Sequence, residues 1–361
     1  MNDGFDLLVF IGRFAPPHHG HFRVMQQALN RAKYLLVLLG SSNVAPSVRN
    51  PFDAETRERL IYAGLDEIMA DGTSRVLVAP VEDLAYRDHA WIRQVHQRIT
   101  ETLARLKGRI PAKPRVGLIG HSKDHSSYYL KLFPELGGIA VDHHRGLDST
   151  RIRNALFARP LAALDDAIAD IKRDDLTPAR VANALGDWAR THPDAANLWA
   201  EHEHVERYRK QWASAPYPPT FVTTDAVVVQ SGHVLMVKRG VMPGLGQWAL
   251  PGGFVKPTET LIESCLRELM EETRIKLPYN ILKSCVRAGP RVFDSPNRSM
   301  RGRTITHAYL IDVSGPGGTE LVKVRGGDDA ARAQWRRWAE IDARECFEDH
   351  FHIIDALLGA I

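Results

Sequence analysis

Three stretches of the chain combine residue types that could do chemistry. The first is GRFAPPHHGH, Gly12 to His21. Its glycines let backbone approach a ligand closely, and it leads into a segment of helical spacing, so a helix N-terminus faces whatever binds there. His18 and His21 are three apart, with His21 in the first helical turn, and both can donate hydrogen bonds to a bound phosphate. Stabilising charge on a bound phosphate asks for positioned donors of that kind rather than for a covalent nucleophile. The second stretch is ETLIESCLRELMEETR (259–274), where Leu261, Ile262, Cys265, Leu266 and Leu269 form an apolar stripe at helical spacing. Glu268, Glu271 and Glu272 share the other face. Carboxylates so close repel one another unless a cation sits between them, and hard oxygen ligands suit Mg²⁺ or Mn²⁺. The third is DSTRIRNAL (148–156), where N-cap hydroxyls and Arg153 at a helix start make a second anion site.

These groups need elements to hold them. In the first half, apolar runs recur at 5–11, 34–40, 75–81, 115–120 and 138–142, with helical patterns at 21–33, 53–70 and 89–107 between the first four. Strand–helix alternation with near-continuous apolar strands predicts a parallel sheet covered on both faces, whose ligands bind in loops leaving the strand ends. GRFAPPHHGH is such a loop, and GHSKDHSSYY after the fourth strand is another. From about 150 to 213 only helical patterns appear, and SAPYPPT (214–220) reads as an extended connector. The second half is α+β. DAVVVQSGHVLMVKR (225–239) predicts a hairpin turning at Ser231–Gly232, followed by a helix over 259–274, strands within 282–294, 303–313 and 333–338, and a last helix over 349–360.

The bulk properties agree with anionic small substrates. The 361 residues, 44% hydrophobic and 25% charged, suit two soluble domains, and the net charge of +4 comes without a lysine or arginine block that would argue for nucleic acid. No apolar stretch reaches the ~18 residues of a membrane span. The N-terminus lacks a signal-peptide pattern, and the three cysteines form no CxxC pair, so a cytoplasmic protein is expected. A zinc cluster joining His18 and His21 to His121 and His125, or to His143 and His144, is the alternative use of the histidines; no cysteine or HExxH supports it.

Gly253, Glu259, Arg267, Glu268, Leu269, Glu271 and Glu272 read G-x5-E-x7-R-E-L-x-E-E, which closely resembles the Nudix box. The resemblance implies a Nudix fold that hydrolyses a nucleoside diphosphate linked to another group. Glu268 and Glu272 would then be the main metal ligands, Glu271 would assist, Glu271 and Glu272 would serve catalysis, and Arg267 would orient the set. Arg274 stands where the family has a glycine that ends the helix in a left-handed conformation. Pro290 downstream and the phrase SMRGRTITHAYL resemble the ADP-ribose pyrophosphatase branch. That implies ADP-ribose as substrate, with Arg291, Arg301 and Arg303 as candidate contacts and Asp328 or Asp329 as candidate bases.

G-R-F-x-P-x-H-x-G-H resembles the signature of the nucleotidylyltransferase superfamily, in particular the archaeal-type nicotinamide mononucleotide adenylyltransferases. RNPFDAETR (49–57), GHSKDHSSYYLKLFP (120–134) and DSTRIRNAL follow in the family's order. The resemblance implies catalysis by His18, His21 and Arg153. It implies nucleotide and phosphate contacts from Gly12, Arg13, Phe14, Gly20, Lys123, Asp124, Ser149 and Thr150.

The chain as a whole therefore resembles bifunctional proteins of NAD metabolism. A Rossmann-like parallel-sheet nucleotidylyltransferase domain is expected over 1–185, a helical and proline-rich connector over 186–219, and an α+β Nudix domain over 220–361. The implied substrates are ATP, nicotinamide mononucleotide and ADP-ribose, with Mg²⁺ or Mn²⁺, no nucleic acid and no membrane; a homo-oligomer is compatible. Two alternatives stay open: another nucleotidylyltransferase with a broader dinucleotide pyrophosphatase, or a Nudix domain that senses ADP-ribose or NAD without turnover.

Overall fold

The computed structural model describes residues 4–69, 73–121, 132–141, 147–287, 289–316, 318, 320–328 and 330–359. The chain divides into two compact units, Met1–Trp199 and Ala200–Ile361.

The first unit carries five strands, β1 (Phe5–Gly12), β2 (Ala32–Leu39), β3 (Val76–Pro80), β4 (Val116–His121) and β5 (Gly137–Val141). They form one parallel sheet in the order β3-β2-β1-β4-β5. Seven of the eight residues of β1 are buried, so both of its faces are covered, as an unbroken apolar strand demands. Leu7, Val9 and Ile11 pack with Leu36, Leu38, Val95, Ile99, Leu118 and Phe133 on one side. The helices are α1 (His19–Arg31), α2 (Ala54–Ile68), α3 (Asp88–Arg105), α4 (Ser149–Phe157), α5 (Leu164–Arg173), α6 (Ala179–Thr191) and α7 (Ala195–Gln211). The expected helix-only stretch thus resolves into α4 to α7. The unit boundary falls inside α7.

The chain leaves β1 toward β2 on one side, while β4 lies on the other. This reversal makes a crevice at the carboxyl ends of β1 and β4, and the loop 13–18 leaves β1 there. The helix it enters starts two residues earlier than the spacing predicts.

The second unit is a mixed sheet built from β6 (Thr220–Gln230), β7 (His233–Arg239), β8 (Trp248–Ala249), β9 (Gly252–Phe254), β10 (Arg291–Phe293), β11 (Arg303–Asp312) and β12 (Ala330–Arg337). Its main path is β10-β11-β6-β7-β12, with β8 on β7 and β9 on β6. Ser231 and Gly232 take φ of 48° and 74°, the two positive values that a two-residue hairpin needs, and they join β6 to β7 where the sequence predicts.

The unit's helices are α8 (Leu261–Thr273), α9 (Tyr279–Ser284) and α10 (His350–Leu358). The strand expected to start at 282 is corrected: that position lies in α9, which Pro278 opens, and only Arg291–Phe293 is extended. Glu263 reaches back to the Thr260 amide at 2.9 Å to cap α8. The stripe on α8 is used as predicted: Cys265, Leu266 and Leu269 are fully buried against Ala226, Val228, Leu235 and Ile311. Arg274 follows the helix with φ 44° and ψ 37°, so the left-handed ending forms without a glycine.

No helix of the described residues is long and apolar enough to cross a membrane.

Candidate active sites

In the first unit His18 and His21 hold each other in place through the start of α1. His18 is the N-cap, and its Nδ1 accepts the Gly20 amide at 3.1 Å. The Nδ1 of His21 accepts the His18 amide at 3.2 Å, and the rings lie 3.7 Å apart. A neutral imidazole whose Nδ1 accepts carries its hydrogen on Nε2. Both rings are therefore set as Nε2–H donors, the form that a phosphate oxygen requires.

The two glycines make room for rings. A Cβ on Gly20 would stand 2.9 Å from the His18 ring, and one on Gly12 would stand 2.9 Å from the ring of Phe14. Phe14 is buried with φ 51° and packs on His21 at 4.8 Å. It supports the histidines from below, which is not the ligand contact expected of it.

Side chains from elsewhere fix the loop's backbone. The carbonyl of Arg13 accepts from Arg57 at 2.7 Å, that of Ala15 from Arg153 at 2.5 Å, that of Pro16 from Ser149 at 2.8 Å and that of Pro17 from Thr177 at 2.9 Å. Ser149 and Arg153, expected at a phosphate, thus hold the loop, and Arg153 also donates to Thr150 Oγ1 at 3.0 Å. The expected hydroxyl cap of α4 is corrected: Asp148 is the N-cap and accepts the Arg151 amide at 2.8 Å, while Ser149 and Thr150 are the first two helical residues.

Burial lowers Arg153 to about 10, and the positive charges of Arg13 and Arg49 add to the shift. These three arginines share one neighbourhood, with the Asp148 charge opposing them. Arg13 itself is exposed.

Sequence reasoning assigned nothing to Arg57. It is 2% exposed and also donates to the carbonyls of Gly40 at 2.6 Å and Ser41 at 3.2 Å. Burial lowers it to about 10, against the charges of Asp83 and Asp53. Lys123 and Asp124 lie outside the described residues, as do His125, His143 and His144 of the zinc alternative.

In the second unit Arg267 gathers the box carboxylates. It clamps Glu259 with two bonds of 2.8 and 2.7 Å, and its Nη1 reaches Glu268 at 2.8 Å and Glu271 at 2.9 Å. The guanidinium bonds hold Glu259 down at about 2. Glu272 accepts the Gly252 amide at 3.0 Å. Gly253 lets Glu268 pass against the backbone, since a Cβ there would stand 2.5 Å from its Oε1.

Glu268 and Glu272 line a cleft of about 460 Å³ together with Gly252, Gly253, Phe254, Arg239, Arg298, Arg301, Asp328, Phe347, Glu348 and His350. Glu271 is exposed and is not among its lining residues. The donor set, carboxylate oxygen throughout, fits Mg²⁺ or Mn²⁺. Among the described residues no three His, Cys, Asp or Glu side chains make a ready-made cage. Two carboxylates completed by diphosphate oxygens is the way Mg²⁺ commonly binds.

Of the three candidate arginines only Arg301 lines the cleft. Its guanidinium lies over Phe254 at 5.1 Å and Phe347 at 6.0 Å. Arg291 donates to the Ala356 carbonyl at 2.7 Å, and Arg303 to the Asp294 carbonyl. Asp328 lines the cleft with φ 50°, and Asp329 lies outside the described residues.

Four cleft residues were missed in the sequence. Arg239 lies over Phe347 at 4.2 Å. Arg298 forms a buried bidentate pair with Asp349 at 3.0 and 2.8 Å. Burial lowers Arg298, but the Asp349 charge outweighs it and the net shift is upward. The His350 Nδ1 accepts the Leu250 amide at 2.8 Å, and burial lowers its pKa against the charges of Asp225 and Asp349. Burial raises Glu348 despite Arg301 and Arg298.

Comparison with known proteins covers both units. Residues 9–96 match the cytidylyltransferase-like family and residues 219–357 match the NUDIX domain. The chain is 37% identical over 154 residues to the nicotinamide/nicotinic acid mononucleotide adenylyltransferase of Acinetobacter baylyi, covering 42% of this chain and 76% of that protein. It is 35% identical over 114 residues to the ADP-ribose pyrophosphatase of Methanocaldococcus jannaschii, covering 32% of this chain and 60% of that protein. The crystal structure of a bifunctional NMN adenylyltransferase/ADP ribose pyrophosphatase from Francisella tularensis matches with a TM-score of 0.84 at 33% identity, over 98% of this chain and 99% of that one. A further structure from that organism, complexed with AMP and a manganese ion, matches at 0.83 and 32% identity, over 99% of both chains.

Proposed function

The chain belongs to the family of bifunctional nicotinamide mononucleotide adenylyltransferases/ADP-ribose pyrophosphatases, and from that premise we propose how the residues of its two sites divide the work. The first unit transfers AMP from ATP to nicotinamide mononucleotide, giving NAD and pyrophosphate. The second hydrolyses ADP-ribose to AMP and ribose 5-phosphate. The observation that carries both is the end-to-end likeness, which spans the histidine loop and the carboxylate box together.

In the adenylyl transfer a phosphate oxygen of the mononucleotide attacks the α-phosphorus of ATP and the bond to pyrophosphate breaks. The Nε2–H groups of His18 and His21 stabilise charge on the phosphate oxygens, and the α1 N-terminus adds its dipole. Gly12 and Gly20 leave space for the rings that aim these donors. Arg153 holds the loop and, with Arg13, keeps the site positive; Ser149 and Thr150 secure the same helix end. Lys123 and Asp124 are proposed on the base side of the nucleotide.

In the hydrolysis Glu268 and Glu272 hold the divalent cation, and Glu271 assists from the rim. The bound cation polarises the diphosphate and acidifies water. Arg267 keeps the carboxylates converged, and Asp328 is the cleft carboxylate placed to take a proton from water. Arg301 faces the diphosphate; Arg291 and Arg303 stay in reserve as contacts to the rest of the substrate.

We keep the catalytic domains at 1–185 and 220–361 with 186–219 as connector, a cytoplasmic location, and small molecules rather than nucleic acid as ligands. A homo-oligomer is compatible with this reading.

A product-resolved assay on the full chain tests the reading. It supplies ATP with nicotinamide or nicotinate mononucleotide in one arm and ADP-ribose in the other, with and without EDTA. No dinucleotide formed would sink the first assignment. Hydrolysis unchanged in Glu272→Gln would reject the metal ligands.

A further inference from the structure

We infer that Glu348 reads a ribose: its carboxylate accepts the vicinal hydroxyls of a ribose unit of the substrate and so sets the specificity of the hydrolytic site. The inference rests on the reading of that site as an ADP-ribose hydrolase.

Glu348 lies just before α10 and lines the cleft that Glu268 and Glu272 also line. Its backbone is left-handed, φ 46°, a conformation that a residue other than glycine keeps where its surroundings demand it, and such positions gather at ligand sites. Arg298 and Arg301 supply the positive charge beside it. Arg298 is already committed to Asp349 through two hydrogen bonds, so Glu348 is not required to neutralise it. The Met300 amide approaches Oε1 at a long 3.4 Å. The Ser299 side chain also bonds to it, and the charges of Arg298 and Arg301 favour the ionised form that burial opposes. An ionised carboxylate has about four acceptor positions, so acceptor capacity is left for a ligand.

A carboxylate accepts and does not donate, which decides what it can recognise. The diphosphate of ADP-ribose would be repelled and belongs with the arginines and the cation. The groups that donate in pairs are the ribose diols, whose adjacent hydroxyls match the two oxygens of one carboxylate. Acidic side chains read ribose in this way in dinucleotide-binding folds. ADP-ribose contains two riboses, and the chemistry at Glu348 is the same for both.

The test separates the sources. Inhibition of ADP-ribose hydrolysis is measured for AMP against 2′-deoxy-AMP, and for ribose 5-phosphate against 2-deoxyribose 5-phosphate, in the wild type and in Glu348→Gln. The inference expects the wild type to prefer the hydroxylated member of one pair by about tenfold, the scale of a hydrogen bond to a charged group. Glu348→Gln should erase that preference and raise KM by a similar factor, with kcat little changed. The pair that responds names the ribose.

Preferences that survive in Glu348→Gln overturn the inference, as does a wild type that discriminates in neither pair. A fall in kcat at constant KM also overturns it and makes Glu348 a proton acceptor. Thermal melting checks folding. If the glutamine variant does not fold, Glu348→Asp decides, and a preference kept there at full strength overturns the inference. A wild type that leaves ADP-ribose intact would instead reject the underlying reading of the site.

Discussion

The Nδ1 of His21 accepts the backbone N–H of His18, and the two rings sit 3.7 Å apart as one unit. Each ring is therefore both a structural cap and a proposed donor to phosphate. Replacing His18 by alanine should lower NAD formation by about 10²–10³-fold, the range for a lost charge-stabilising donor. It should also lower stability by about 1 kcal/mol as the cap is lost. Initial rates and a denaturation midpoint measure the two effects. A loss of stability with full activity would contradict the donor role.

Thr177 and Ser149 donate to neighbouring carbonyls of the loop, Pro17 and Pro16. Thr177→Val keeps the shape and removes one hydrogen bond, worth about 1 kcal/mol. It should reduce adenylyl transfer by less than tenfold. Ser149→Ala should cost more if its hydroxyl also meets phosphate during turnover. Equal effects in kcat/KM would confine Ser149 to holding the loop.

Arg267 keeps Glu259 ionised to about pH 2, well below its ordinary 4.5. A carboxylate depressed on folding contributes stability that is fully present above its unfolded pKa and is lost as pH falls through the folded value. Stability measured by urea unfolding should therefore decline between about pH 4.5 and 2. Glu259→Gln should flatten part of that decline. An unchanged slope would show that the pair does not act through this titration.

Arg274 and Gly327 meet where α8 ends. A Cβ on Gly327 would stand 2.5 Å from the Glu271 carbonyl oxygen and 2.7 Å from Arg274 Nε. The carbonyl belongs to the helix and cannot yield, so Gly327→Ala should push away the loop that carries Asp328. We expect a loss of about 1–3 kcal/mol and weaker ADP-ribose hydrolysis. Arg274→Gly should relieve left-handed strain of about 1 kcal/mol while losing packing on Gly327, leaving stability nearly unchanged. Calorimetry of both variants checks the contrast.

Local signals in the chain predict the elements that rest on local rules. The Ser231–Gly232 turn, the stripe on α8 and the entry of the histidine loop into α1 follow from residue types and spacing alone. The tautomer of the histidines does not, because it depends on which amides their Nδ1 atoms meet. Arg57 reads as one more charge on a helix face, yet it bonds carbonyls of two distant segments, Arg13 and Gly40–Ser41. Glu348 and His350 belong to ECFEDHFHII, where the spacing marks a helix and nothing marks a cleft, and Arg298 lies in the loop between β10 and β11. The box arginine was legible as an organiser, whereas Arg291 and Arg303 were not separable from Arg301 before their carbonyl partners were known.

The carbonyls of Arg13, Ala15, Pro16 and Pro17 are held by four side chains drawn from α2, α4 and the residue ahead of the N-cap of α6. The geometry of the histidine loop is thus written outside the loop, in positions up to 160 residues away. Descendants of this chain can drift in turnover rate while GRFAPPHHGH stays letter for letter the same. A graft of those ten residues onto another parallel sheet would bring the letters without the posture.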